Sequence, residues 1–208
     1  MCWIAAVKSE HRHSMSNNPR ILAFGGSLRS ESFNQRVAQI AAEGARRAGA
    51  EVTVIALRDF PMPVFDQDLE SAQGLPAKAH ELKALFLSHD GLLIASPEYN
   101  SSITAALKNA IDWVSRTESD SEPSLAAYRG KTAAILSASP GALGGLRGLV
   151  HLRAILSNIG VLVLPDQIAV SKAYDAFQED GKLKDAKQQA SVERIGEALA
   201  NTLRKLKA

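Results

Sequence analysis

Short apolar runs alternate with stretches of helical periodicity along the chain from residue 20 onward. Residues 20–25 form an apolar run ending in glycine, the pattern of a strand buried on both faces. Val37, Ile40, Ala41, Gly44, Ala45 and Ala48 then fall at i, i+3, i+4, i+7, i+8 and i+11, which predicts an amphipathic helix with Gly49 as its stop. Residues 51–57 are rich in β-branched side chains and predict a second strand. Residues 59–75 carry four acids together with Pro61 and Pro63, with Pro76 just beyond, and read as a long loop. Further helices at 76–88, 102–114, 145–159 and 185–206 separate strands at 91–96, 131–137 and 160–164. Five strands separated by helices predict a parallel sheet covered on both faces, because parallel neighbours need crossover connections. The pattern leaves the strand order open. In the order 2-1-3-4-5 the winding reverses between strands one and three, and a ligand belongs over their carboxyl ends.

Chemistry is therefore sought in the loops after Phe24, Ala95 and Leu136. The first, residues 25–34, reads Gly-Gly-Ser-Leu-Arg-Ser-Glu-Ser-Phe-Asn and runs directly from strand to helix. It has neither the G-x-G-x-x-G of dinucleotide folds nor the G-x-x-x-x-G-K-[ST] of a P-loop. Free N–H groups and the positive end of a helix dipole favour an anion at such a start. The hydroxyls of Ser27 and Ser32 and the guanidinium of Arg29 suit a phosphate monoester. The alternative is an ordinary turn with Ser32 capping the helix and Arg29 solvated. The second loop, residues 96–102, fixes its backbone with Pro97 and offers the flat face of Tyr99; a plain Pro-Asn turn with Ser102 capping the next helix is the alternative. The third, residues 137–145, has three glycines and small side chains that let backbone approach a ligand closely, or make a flexible connector.

Composition narrows the classes. The chain has 208 residues, enough for one domain with its own core, and 46% apolar with 22% charged residues is an ordinary globular balance. A net charge of +2 gives no basic face for nucleic acid. No apolar run approaches the roughly 18 residues of a membrane span. The lone Cys2 excludes an internal disulfide or a cysteine-based metal site and points to a reducing, cytoplasmic setting. Of five histidines only His11 and His13 are closely spaced, so no metal site is expected. A serine hydrolase, whose histidine would come from His80, His89 or His151, is disfavoured because Gly-Gly-Ser-Leu-Arg is not a nucleophile elbow. Residues 1–18 read as a flexible N-terminal extension, with Met15 as an alternative start, and residues 19–208 as the folded domain.

Gly-Ser-Leu-Arg-x-x-Ser-x-Asn at 26–34, Ser-Pro-Glu-Tyr-Asn at 96–100 and Lys-Asn-Ala-Ile-Asp-Trp at 108–113 together resemble the NAD(P)H-dependent FMN reductase family, which includes chromate, quinone and azo-dye reductases. The resemblance implies a flavodoxin-like three-layer α/β sandwich with a five-stranded parallel sheet in the order 2-1-3-4-5, holding FMN noncovalently. By that analogy Ser27, Arg29, Ser32 and Asn34 hold the phosphate with Phe33 supporting the loop. Pro97, Glu98, Tyr99 and Asn100 line the isoalloxazine, and Ser137, Ser139 and Gly141 close over its other edge. The implied activity is transfer of electrons from NADPH or NADH to a flavin, quinone, azo compound or metal oxyanion in a ping-pong cycle, with no obligatory catalytic side chain from the protein. A non-catalytic electron carrier or flavin-binding redox sensor is the alternative, and the near-neutral body argues against a carrier that docks by charge. Helices 102–114 and 145–159 carry more apolar residues than one stripe needs, which predicts a subunit interface or burial under the long loop. The resemblance implies a homodimer or homotetramer.

Overall fold

The computed structural model describes residues 18–207. The expected extension, with Cys2, His11, His13 and Met15, lies outside the described residues except for Asn18. Five parallel strands, β1 (Arg20–Gly25), β2 (Glu51–Ala56), β3 (Gly91–Ala95), β4 (Thr132–Ala138) and β5 (Leu162–Val170), form one sheet in the order β2-β1-β3-β4-β5. The expected fold class and order hold.

Strand alternation builds the two cores. On one face Ile21, Ala23, Leu93, Ala95, Ala134 and Leu136 pack with helices α1 (Phe33–Arg47) and α7 (Ala186–Lys207). On the other, Leu22, Phe24, Leu92, Ile94, Ala133 and Ile135 meet α3 (Ala77–Ser88), α4 (Ala105–Val114) and α5 (Leu146–Asn158). Each central strand is thus apolar on both sides, which explains its unbroken hydrophobic run. Two short helices complete the chain: α2 (Gln67–Gln73) and α6 (Ala173–Ala176).

Three local readings need correction. The stretch expected as a loop contains α2, started by Asp66, whose carboxylate accepts from the N–H groups of Asp68 and Leu69. Helix α4 begins later than residue 102 because Thr104 rather than Ser102 is its cap. Strand β5 continues past Leu164 to Val170 despite Pro165 and Asp166. Its register against β4 shifts between Ala133 and Ile135, which puts the extra residues into a bulge. Arg153 stabilises that bulge by donating to the carbonyls of Val163, Leu164 and Pro165 at 3.3, 2.8 and 3.3 Å. Proline is tolerated there because β5 is an edge strand.

Part of the surplus apolar surface of α4 is covered within the chain, as burial under the long loop expects. Trp113 is fully buried, its indole N–H donates to the Pro63 carbonyl at 2.8 Å, and Phe65 meets its ring edge-on. Asn109 fastens the same loop, accepting from the Phe65 N–H and donating to the Pro63 carbonyl.

Helices α1 and α7 approach closely through two glycines. A Cβ at Gly196 would stand 1.8 Å from the Ala41 carbonyl oxygen, and one at Gly44 would stand 2.0 Å from that of Glu193. Both obstacles are backbone, so a side chain there forces the helices apart. Gly196→Ala is expected to destabilise the protein by about 3 kcal/mol, read as a lowered urea midpoint with an unchanged slope.

Candidate functional site

The first loop leaves β1 and enters α1 with its backbone held from three sides. The Gly25 N–H donates to Gln35 Oε1 at 2.9 Å, the Gly26 N–H donates to the Ala95 carbonyl at 2.8 Å, and Thr104 Oγ1 donates to the Gly26 carbonyl at 2.6 Å. Gly26 is needed for closeness, since a Cβ would lie 2.9 Å from Leu107. Ser32 caps α1 by accepting from the Gln35 N–H, and Ser27 Oγ accepts from the Arg29 N–H, both at 3.2 Å. The guanidinium of Arg29 is exposed and forms no ion pair among the described residues. Asn34 is buried, and its amide both donates to the carbonyl of Ala138 and accepts from its N–H, each at 2.8 Å.

The second loop is a tight turn. Tyr99 and Ser102 exchange both backbone hydrogen bonds, at 2.9 and 3.0 Å, and the central Asn100 and Ser101 take left-handed φ values of 51° and 66°. Asn100 suits that conformation, and its place in the turn accounts for its presence. The Tyr99 side chain is exposed, whereas Pro97 is buried. Glu98 turns towards α5. Its Oε1 accepts from Nε and Nη2 of Arg147 at 2.9 and 2.6 Å, and its Oε2 accepts from the Gly148 N–H at 3.1 Å. It thereby caps a helix whose own preceding residue, Gly145, has no side chain. Burial pushes the Glu98 carboxyl up, but the Arg147 and Gly148 hydrogen bonds and the Arg147 charge outweigh burial and hold it below the usual range.

The third loop starts as β4 ends. Ser139 Oγ accepts from the Gly141 N–H at 3.3 Å. Ser137 is fully buried, and its hydroxyl has no hydrogen-bond partner among the described residues. Gly145 sits directly on it, so close that a Cβ there would be 1.9 Å from Ser137 Oγ.

Ser27, Arg29, Ser32, Phe33, Asn34, Pro97, Glu98, Tyr99 and Ser139 line one cleft of about 90 Å³ with Ala138 and Pro140. Through Ser27, Arg29 and Tyr99 it adjoins a more apolar hollow of about 360 Å³ bounded by Leu28, Thr104, Ala105 and Ala106. Asn100, Ser137 and Gly141 lie beside the cleft without lining it. A roomier hollow of about 570 Å³ between β5 and α7 shares no residue with these loops. Sequence reasoning missed the roles of Gln35 and Thr104 and the pairing of Arg147 with Glu98. It also missed the aromatic cluster behind Phe33, which stacks on Phe177 at 5.5 Å and meets Tyr174 edge-on at 5.4 Å. None of the described histidines reaches Ser27. His80 pairs with Glu118, His89 with Thr53 and the Leu85 carbonyl, and His151 with Ser102.

A five-stranded parallel sheet in the order 2-1-3-4-5, with a serine- and arginine-bearing helix start at the switch point, is the flavodoxin-like arrangement. The chain belongs to the NADPH-dependent FMN reductase family, whose model matches residues 19–175. It is 34% identical over 194 residues to an NAD(P)H-dependent FMN reductase of Pseudomonas aeruginosa, covering 93% of this chain and all of that protein. It is 37% identical over 151 residues to a quinone reductase of Escherichia coli, covering 72% of this chain and 76% of that one. Among solved structures, the flavoenzyme NAD(P)H:(acceptor) oxidoreductase FerB of Paracoccus denitrificans superposes with a TM-score of 0.75 at 25% identity, covering 90% of this chain and 98% of FerB.

A carboxyl depressed in the folded state contributes stability above its unfolded pKa, and that contribution is lost as pH falls through the folded value. Glu98→Gln is expected to lower the melting temperature at pH 7, with the deficit relative to wild type shrinking below about pH 4, as followed by thermal denaturation across pH.

Proposed function

We propose that this protein is an FMN-dependent oxidoreductase that takes electrons from NADPH or NADH and passes them to small-molecule acceptors, among them quinones, flavins, azo compounds and metal oxyanions. The observation that carries this reading is the cleft itself. It joins the capped start of α1, an unpaired Arg29 and an exposed tyrosine on a rigid turn. The donor set fits a phosphate monoester, since Arg29 supplies a free cation and Ser27 and Ser32 supply hydroxyl protons. Ser27, Arg29 and Ser32 would hold the phosphate, with Phe33 buttressing the helix start. Pro97 and Tyr99 would support the ring, Glu98 and Asn100 would fix the turn beneath it, and Ser137, Ser139 and Gly141 would bound the opposite side. When bound, FMN supplies hydride acceptance from a nicotinamide and electron delivery to the acceptor.

The chain's own residues position and shield. Glu98 is engaged with Arg147, and the described histidines are paired elsewhere, so none serves as general acid or base in this reading. Because Ser27, Arg29 and Tyr99 border both the cleft and the adjoining hollow, donor and acceptor would meet the ring at one place in turn, which supports a ping-pong order. The single cysteine of the sequence suits a cytoplasmic enzyme. No helix among the described residues is long and apolar enough to cross a membrane.

Leu143, Leu146 and Val150 project from the loop and first turns of α5 with 52%, 43% and 60% exposure. That apolar patch supports assembly into a homodimer or homotetramer through α5.

Purified protein is expected to show a bound-flavin absorption spectrum or to acquire one with FMN, to bleach anaerobically with NADPH, and to consume NADPH steadily with a quinone. Colourless protein that takes up no FMN overturns the reading, and bleaching without turnover indicates a sensor or carrier. Arg29→Ala should weaken FMN binding on the order of 10- to 100-fold by fluorescence titration. Val150→Glu should shift the mass measured by light scattering to that of a smaller species, and a wild type that is monomeric at micromolar concentration refutes the assembly.

A further inference from the structure

Asn34 is joined to Ala138 across 104 residues by two buried hydrogen bonds. Their origin lies in how the sheet ends. Strand β3 pairs with β4 as far as Ala95 opposite Leu136, and the Ser96 N–H still donates to the Leu136 carbonyl. In a parallel ladder the next residue to offer both backbone groups to that neighbour is two positions on, which is Ala138. By then β3 has turned away into its Pro97 loop. Ala138 would be left with an unpaired buried N–H and C=O, each bearing the cost of lost hydration. The carboxamide of Asn34 supplies one acceptor and one donor in the missing strand's place.

The linkage joins the two walls of the cleft. Asn34 belongs to the first loop and the start of α1, while Ala138 continues into Ser139 and Pro140 on the opposite side. We infer that Asn34 is a positioning residue that sets the separation of these walls, and not a phosphate ligand. This inference rests on the FMN reading above. The phosphate is left to Ser27, Arg29, Ser32 and the backbone amides of the helix start. Asn34 acts on the whole flavin by fixing where the third loop begins.

Riboflavin, which lacks the phosphate, separates the two roles. Asn34→Ala should weaken FMN and riboflavin by the same factor, on the order of tenfold, in fluorescence titrations of the full chain. Arg29→Ala should weaken FMN alone. In the flavin-free protein, Asn34→Ala should speed amide hydrogen exchange at Ala138 and Ser139. Asn34→Asp adds a conservative rescue, because a protonated carboxyl at this position can again donate to the Ala138 carbonyl while accepting from its N–H. Binding of both flavins should therefore recover as pH is lowered. Residues 132–145 carry no ionisable side chain, and the charged groups flanking Asn34 in its own loop and helix are Arg29 and the Glu31–Arg36 pair. The pH response of Asn34→Asp, taken relative to wild type, thus isolates the new carboxyl. A loss confined to FMN would make Asn34 a phosphate ligand and overturn the inference. So would unchanged exchange at Ala138, or no effect on either flavin. Wild-type protein that binds no FMN would instead refute the functional reading, while the exchange result would still report on the linkage.

Discussion

Backbone hydrogen bonding at the carboxyl ends of the strands is the constraint on which the site depends. β1 and β3 end opposite each other at Gly25 and Ala95 while β4 runs on to Ala138, and the loops then diverge, so peptide groups near the core lose ladder partners. Side chains take over. Gln35 serves Gly25 and, through its Nε2, the Ile55 carbonyl; Thr104 serves Gly26; Asn34 serves Ala138; and Glu98 serves Gly148. Each link joins elements that no strand pairing connects. A set of such links makes a rigid rim out of four loop ends, and a rigid rim is what a cofactor site requires. The residues left over, chiefly Arg29 and Tyr99, are the ones free to meet a ligand.

This division of labour also gives motif residues structural work of their own. Asn100 supplies a left-handed turn, Glu98 a helix cap and an ion pair, and Asn109 and Trp113 hold the loop that covers α4. Ser137 and Gly145 are matched in size at a point where one extra carbon has no room. A short motif at a strand end therefore encodes the support of a site as much as its surface.

Much of the fold was legible because buried parallel strands advertise themselves as apolar runs, and α1 shows one clean stripe. The strand order was not in the periodicity and came from the resemblance. The true length of β5 escaped because Pro165 and Asp166 look like a terminator, and the support that Arg153 gives the bulge from the preceding helix has no local sequence signal. The site loops were legible from glycine and serine at the expected strand ends. Their internal wiring was not, since the partner of Glu98 lies 49 residues away and that of Asn34 lies 104 away. Local patterns report local geometry, whereas these contacts exist only after the sheet has assembled. The cover of Trp113 on α4 was illegible for the same reason, as it is a loop without periodicity.

The irregular course of β5 has a further consequence for how copies of the chain meet. A long, flat outer strand offers a template for another strand and so for runaway sheet growth. Here the bulge breaks the regular spacing of outward-facing peptide groups, Pro165 removes a donor, and Arg153 occupies three consecutive carbonyls. The β5 flank is thereby a poor template for strand addition.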